Sequence, residues 1–263
     1  MRFASLGSGS EGNALLVEAS EGASTTRILL DCGFSMREVE RRLTARSIDV
    51  ASLDAIVITH EHADHIGSAL SLTRKYRIPL IMSWGTGQAV KVHATLKRGE
   101  DDALVRWCRS DERLAVGDIE LHPYTVPHDA REPLQFVFSD GARRLGVLTD
   151  AGCPTAHLIA TLGGCDALVL ECNHDRAMLA NSKYPPSLKA RIGGTYGHLA
   201  NEAAAEILGA IDRAKLQRVI CAHLSEQNNT PELAMAAMSA VIGAEATEIL
   251  VATQAGGFDW LTC

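Results

Sequence analysis

The sequence predicts an α/β protein built from layered sheets and helices. Three observations carry that reading. Strand-like and helix-like segments alternate along the 263 residues. The composition, 46% hydrophobic and 22% charged, supplies an ample core. A short β-branched run, Ala55-Ile56-Val57-Ile58-Thr59, ends directly in the cluster His60-Glu61-His62-Ala63-Asp64-His65, as a strand does when its tip delivers side chains to a site.

Taken in order, the apolar runs and turn signals place strands at 2–6, 14–19, 26–31, 54–59, 78–82, 104–108, 119–125, 134–139, 143–149, 166–171, 217–222 and 248–252. Helical patterns fall at 35–46, 64–76, 85–97, 154–162, 199–211 and 231–243. Gly22 and its neighbours over 20–25 read as a hairpin turn. Asn201 or a neighbour reads as the cap of helix 199–211. Segment 180–198 shows no periodicity and reads as a long functional loop. No repeat, low-complexity tract or linker divides the chain, so residues 1–263 are expected to form a single domain.

Several function classes are disfavoured. No apolar run approaches the roughly 20 residues of a membrane span. The opening Met1-Arg2-Phe3-Ala4-Ser5-Leu6-Gly7 lacks the apolar stretch of a secretion signal, so the expected compartment is the cytoplasm. Seven cysteines, at 32, 108, 153, 165, 172, 221 and 263, form no C-x-x-C pair; they read as small core residues rather than a disulfide frame or zinc knuckle. The net charge of −7 argues against a generic nucleic-acid binder. Two divalent ions would offset four of those charges, and a local basic loop can still face a polyanion.

The chemistry begins at His60. His60 and His62 are two apart, so an extended backbone points both the same way, toward one ion. Asp64 and His65 follow where the chain can turn into a helix and serve a second ion. A helical H-E-x-x-H site would need histidine at position 64, where Asp64 stands. Further ligands are sought at other strand ends, and three residues qualify: His128 after strand 119–125, Asp150 after 143–149 and His223 after 217–222. Imidazole and carboxylate without thiolate suit Zn, Mn, Fe or Ni.

H-x-H-x-D-H, then a lone His, an Asp ending an apolar strand and a last His resembles the metallo-β-lactamase superfamily. The resemblance spans nearly the whole chain. It implies an αββα sandwich, two mixed β-sheets flanked by helices, with the site at one edge between the sheets. It also implies two divalent ions: His60, His62 and His128 on the first, Asp64, His65 and His223 on the second, and Asp150 bridging both. Asp31 matches an early aspartate that supports the site without touching metal.

Further stretches are similar to the YycJ/WalJ-like branch: Leu6-Gly7-Ser8-Gly9-Ser10-Glu11-Gly12-Asn13, Glu171-Cys172-Asn173-His174-Asp175, Gly197-His198-Leu199-Ala200-Asn201-Glu202 and His223-Leu224-Ser225-Glu226-Gln227-Asn228-Asn229. Ala200 stands where serine is expected and Cys32 where alanine is. Members of that branch are assigned 5′-to-3′ exonuclease action on DNA. The implied function is therefore a dinuclear metal-dependent phosphodiesterase on nucleic acid, DNA first, with a hydroxide shared by the ions as nucleophile. The alternative is a small-molecule phosphodiesterase, lactone or thioester hydrolase on the same fold.

Within that reading Asp64 and His198 are expected to be catalytic, His198 as general acid with Glu171 or a nearby carboxylate orienting it. Ser8, Ser10, Asn13, Asn173, His174, Lys183, Lys189 and Arg191 are the expected substrate contacts, the last three because they make the 180–198 segment locally basic. No membrane partner is expected, and monomer and homodimer both remain open.

Overall fold

The computed structural model describes residues 1–22, 24–97, 99 and 101–263. Two seven-stranded mixed sheets face each other, with helices outside. In chain order the strands are β1 (Arg2–Gly7), β2 (Ala14–Glu21), β3 (Ser24–Leu30), β4 (Ala55–Val57), β5 (Leu80–Ser83), β6 (Val105–Cys108), β7 (Leu114–Val116), β8 (Ile119–Thr125), β9 (Leu134–Ser139), β10 (Arg144–Leu148), β11 (Ala167–Glu171), β12 (Arg218–Ala222), β13 (Glu248–Val251) and β14 (Phe258–Thr262). The first sheet runs β14-β1-β2-β3-β4-β5-β6 and the second β13-β12-β11-β10-β9-β8-β7.

The helices are α1 (Met36–Thr44), α2 (Ala63–Ile66), α3 (Ala69–Tyr76), α4 (Trp84–Ala89), α5 (Val92–Thr95), α6 (Ala156–Leu162), α7 (Arg176–Asn181), α8 (Pro186–Ile192), α9 (Asn201–Ala210) and α10 (Pro231–Ile242). This is the αββα arrangement expected from the resemblance.

Period-2 alternation builds the layers. On β3, Ile28 and Leu30 enter the core between the sheets while Leu29 packs outward under α1 and α3. On β11, Ala167 and Val169 face inward while Leu168 and Leu170 meet α6 and α9. Both faces of these strands are covered, which is why they read as unbroken apolar runs. Six of the cysteines are buried and Cys153 is half-buried; all seven are free thiols.

Several elements depart from expectation. Segment 180–198 is not one loop: it carries the end of α7 and all of α8. Each helix is too short to show a 3.6-residue period, and local signals form them instead, the Asp175 cap of α7 and Pro186 at the start of α8. The helix expected at 64–76 breaks at Gly67, whose φ is +29° and where a side chain would overlap the Cys32 carbonyl. The helix expected at 85–97 divides at Lys91, which is left-handed. The cap of α9 is Ala200, which makes no side-chain cap bond; the Asn201 amide pairs with Asn229 instead. Strands β7 and β14 were not anticipated. The hairpin expected at 20–25 joins β2 and β3, with Ala23 outside the described residues.

Candidate metal centre

The site residues sit at or just beyond the C-terminal ends of β3, β4, β8, β10, β11 and β12, where both sheets open onto one edge. Parallel pairing of β3 with β4, of β10 with β11 and of β11 with β12 brings those ends together. Two residues adopt left-handed backbone to face inward, Asp31 (φ +59°) and His223 (φ +54°). Such strain persists only where the surroundings enforce it. At His223 the backbone N–H donates to Ser8 Oγ at 2.9 Å.

Hydrogen bonds behind the histidines set their tautomers. His65 Nδ1 lies 2.7 Å from Asp31 Oδ2. Asp31 is itself held by the Thr59 N–H and hydroxyl at 2.9 and 3.0 Å. His128 Nδ1 lies 3.0 Å from the Gly197 carbonyl, and His60 Nδ1 lies 3.0 Å from Thr59 Oγ1. Each partner takes the Nδ1 side, which leaves Nε2 of His60, His65 and His128 as the ligand atom.

They converge on carboxylates and on one another. His60, His62 and His128 bring ligand atoms within 4.8 Å of one another, as do Asp64, His65 and His223. His65 Nε2 lies 3.0 Å from Asp150 Oδ2. His128 and His223 Nε2 lie 3.9 and 3.8 Å from Asp150 Oδ1. His62 Nδ1 and His128 Nε2 are 3.2 Å apart.

The donor set fits divalent metal. His60 Nε2 is buried with no hydrogen-bond partner among the described residues, an orphan that a cation would satisfy. Two nitrogens bound to one tetrahedral ion are about 3.3 Å apart at ordinary bond lengths, close to the His62–His128 separation. Asp150 stands between both sets, its Oδ2 toward His65 and its Oδ1 toward His128 and His223.

Charge follows the same geometry. Burial lowers His60 and His128, which keeps them neutral. Burial also opposes charge on His223, but Asp150, Asp64 and Glu171 outweigh it and raise the imidazole to about 9. At Asp150 burial favours the neutral acid, yet His223 and His65 hold the carboxyl well below its usual range.

His198 joins from the segment before α9. Its Nδ1 lies 2.8 Å from Glu171 Oε1 and 3.2 Å from Asp150 Oδ1. Burial disfavours its charge, but Glu171 and Asp150 prevail and raise it to about 10. Glu171 also accepts the Ala151 and Leu199 N–H groups at 2.9 and 3.2 Å, so the carboxylate that orients His198 is fixed from both sides.

The other expected contacts divide by place. Ser8, Asn13 and Asn173 are buried against the histidines, not set on an open rim. Asn13 Nδ2 lies 3.2 Å from His65 Nε2, and Asn173 Nδ2 donates to the His223 carbonyl at 3.0 Å. His174 is buried beside Asn173. Ser10 and Lys183 are exposed. Lys189 Nζ donates to the Ala180 carbonyl at 2.7 Å, and Arg191 Nε pairs with Asp129 at 2.6 Å. Asp129 escaped the sequence reading: its carboxylate lies 3.7 Å from His62 and 3.6 Å from His128. Its place directly after His128 was the available signal.

The model of the Beta-lactamase superfamily domain matches residues 26–224. This chain belongs to that family. Exodeoxyribonuclease YycJ of Bacillus anthracis is 34% identical over 242 residues, 92% of this chain and 89% of the relative. Exodeoxyribonuclease WalJ of Streptococcus pneumoniae is 32% identical over 233 residues, 89% of this chain and 85% of the relative. Among solved structures, the metallo-β-lactamase fold protein YhfI from Bacillus subtilis superposes with a TM-score of 0.74 at 16% identity, covering 99% of this chain and 98% of that one. The chain is thus a YycJ/WalJ-like member of a metal-dependent hydrolase superfamily, and its fold implies divalent metal ions. Among the described residues, no helix is long and apolar enough to cross a membrane.

Proposed function

We propose that this chain, acting as one domain in the cytoplasm, is a dinuclear metal-dependent phosphodiesterase that degrades DNA from the 5′ end. The observation that supports it best is Asp150 standing between two ligand sets while His198 lies 3.2 Å from it. The relatives named as exodeoxyribonucleases support the substrate class. His60, His62 and His128 would hold one ion, Asp64, His65 and His223 the other, and Asp150 both. The set suits Zn, Mn, Fe or Ni. Such ions polarise phosphoryl oxygens and lower the pKa of bound water.

The chain's own residues do the rest. Asp31, Thr59 and the Gly197 carbonyl keep His65, His60 and His128 in their ligating tautomers. Glu171 holds His198 protonated through Nδ1, so the ring can give a proton to the departing 3′ oxygen. Ser8, Asn13 and Asn173 act beneath the ligands with buried His174 beside them, while Lys183, Lys189, Arg191 and Ser10 are left for substrate.

The test is duplex DNA carrying a 5′-phosphate and a label at one end, incubated with Mn or Zn beside Asp64→Ala protein. Stepwise release of mononucleotides by wild type alone is expected. No cleavage, with a chromogenic phosphodiester still hydrolysed, would move the substrate to a small phosphodiester.

A further inference from the structure

The large exposed apolar side chains among the described residues are Trp84, Tyr196, Leu233 and Met235. Leu233 and Met235 lie on α10. The two aromatics lie in segments linked to the histidine cluster, Trp84 through Thr86 and Glu61, and Tyr196 through Gly197 and His128. Trp84 opens α4 at the end of β5, in the first sheet. Tyr196 lies two residues before His198, between α8 and α9.

Both are exposed on rigid backbone. Trp84 is 51% exposed, yet its ring meets Trp107 edge-on at 4.8 Å. The turn beneath it is fixed by Ser83 Oγ, which accepts the Thr86 N–H at 3.1 Å and donates to the Glu132 carbonyl at 2.8 Å. That turn reaches the site through Glu61, between His60 and His62: Glu61 accepts the Arg131 N–H at 2.7 Å and the Thr86 hydroxyl at 3.5 Å.

Tyr196 is 63% exposed. The next carbonyl, Gly197, is held by His128 Nδ1. On the other side Gly152 packs so closely that a Cβ there would overlap the Thr195 carbonyl and stand 2.5 Å from Tyr196 N. The ring is therefore solvated while its backbone is clamped between two turns that carry Asp150 and His128.

We propose that Trp84 and Tyr196 are base-stacking platforms that seat single-stranded DNA on either side of the metal centre, each taking one base. The inference rests on the phosphodiesterase reading above. A fixed ring with a free face costs little ordering entropy on binding. Base–aromatic stacking is sequence-tolerant, because every base has a π-face. Lys189 and Arg191, on the helix that precedes Tyr196 in the chain, suit a strand with a phosphate backbone, Arg191 by exchanging its Asp129 partner for phosphate, and the occupant is an unpaired end because a paired base keeps its faces within the duplex stack.

The experiment uses full-length, metal-loaded protein and a labelled, non-hydrolysable phosphorothioate single strand, with binding read by fluorescence anisotropy at fixed salt. Trp84→Ala and Tyr196→Ala should each raise the dissociation constant about 5- to 150-fold. Trp84→Phe and Tyr196→Phe should restore most of it, and metal content should match wild type in all four. Strands with a single abasic position supply the decisive cycle. One position should weaken wild type but not Trp84→Ala, and a different one should weaken wild type but not Tyr196→Ala. Alanine variants that bind within twofold of wild type, or that lose the same factor at every abasic position, would overturn the proposal. So would tight binding of blunt duplex that neither substitution affects. If wild type neither binds nor cleaves any DNA yet hydrolyses a chromogenic diester, the nucleic-acid reading itself fails and the platforms fail with it.

Discussion

Gly33→Ala should empty one ion position while sparing the other. Gly33 lies where three segments meet. Its N–H donates to the Asn13 carbonyl at 2.9 Å, the Asn13 N–H donates to the Asp64 carbonyl at 2.8 Å, and the Cys32 N–H donates to the His65 carbonyl at 2.7 Å. A Cβ on Gly33 would overlap the Asp64 carbonyl and stand 2.7 Å from Asn13 N. All of these contacts are backbone, so no side chain can rotate away. Relief requires the Asp64–His65 segment to retreat by about 1 Å or more in a close-packed interior. Overpacking of this kind costs about 1–3 kcal/mol, and a displacement of about 1 Å at a reacting centre costs about 100-fold in rate. His60 and His128 do not ride on that segment, and of the first set only His62, its N-cap, would be drawn with it. The expected product is a folded protein with one ion per chain instead of two and roughly 100-fold lower phosphodiesterase turnover. Metal stoichiometry by mass spectrometry, with far-UV circular dichroism, reads both effects. Gly22→Ala is the control: unlike Gly33 it has a positive φ of 59°, but a Cβ there meets nothing within 4 Å, so it should lower the melting temperature slightly and leave both ions in place. Two tightly bound ions and wild-type turnover in Gly33→Ala would refute the reasoning.

Asp31→Asn keeps volume but removes the carboxylate 2.7 Å from His65 Nδ1; ion affinity should fall about 10- to 100-fold in chelator competition, and a change under threefold would argue against that support. His198→Ala should lower turnover about 100- to 10,000-fold with both ions retained, whereas loss of metal in parallel would make it a ligand or a structural residue. In the metal-free protein His223 is raised from 6.5 to about 9, so its charged form stabilises the fold fully below about 6.5 and that contribution disappears as pH rises through about 9. Metal binding needs the neutral ring; titration calorimetry at pH 7 in two buffers of different ionisation enthalpy should therefore show net proton release, and proton uptake would contradict it. Ala200→Ser supplies the missing side-chain cap of α9 and should stabilise by about 1 kcal/mol, roughly 2–4 °C in melting temperature; an unchanged or lower midpoint would show that Ala200 is there for packing.

The sequence by itself determined the alternation of strands and helices and the positions where ligands had to stand. His60, His62, Asp64 and His65 are local in the chain, so their spacing alone announces a grip on metal. His128, Asp150 and His223 were legible because each ends an apolar run. Only the tertiary structure decided how these strand ends meet: Asp150 between both ligand sets, Glu171 behind His198, and Asp129 beside His62 and His128. Those relations join residues up to 159 positions apart, as Asp64 and His223 are, and no local period encodes such a distance. The same reason explains the errors. Ser8, Asn13 and Asn173 were expected to contact substrate, yet each is buried to bond a histidine or the backbone beside one. Helices α7 and α8 were invisible because six and seven residues complete too few turns to show a period. Strand β14 contributes Phe258 and Leu261 to the core only because β1 offers it an edge to pair with.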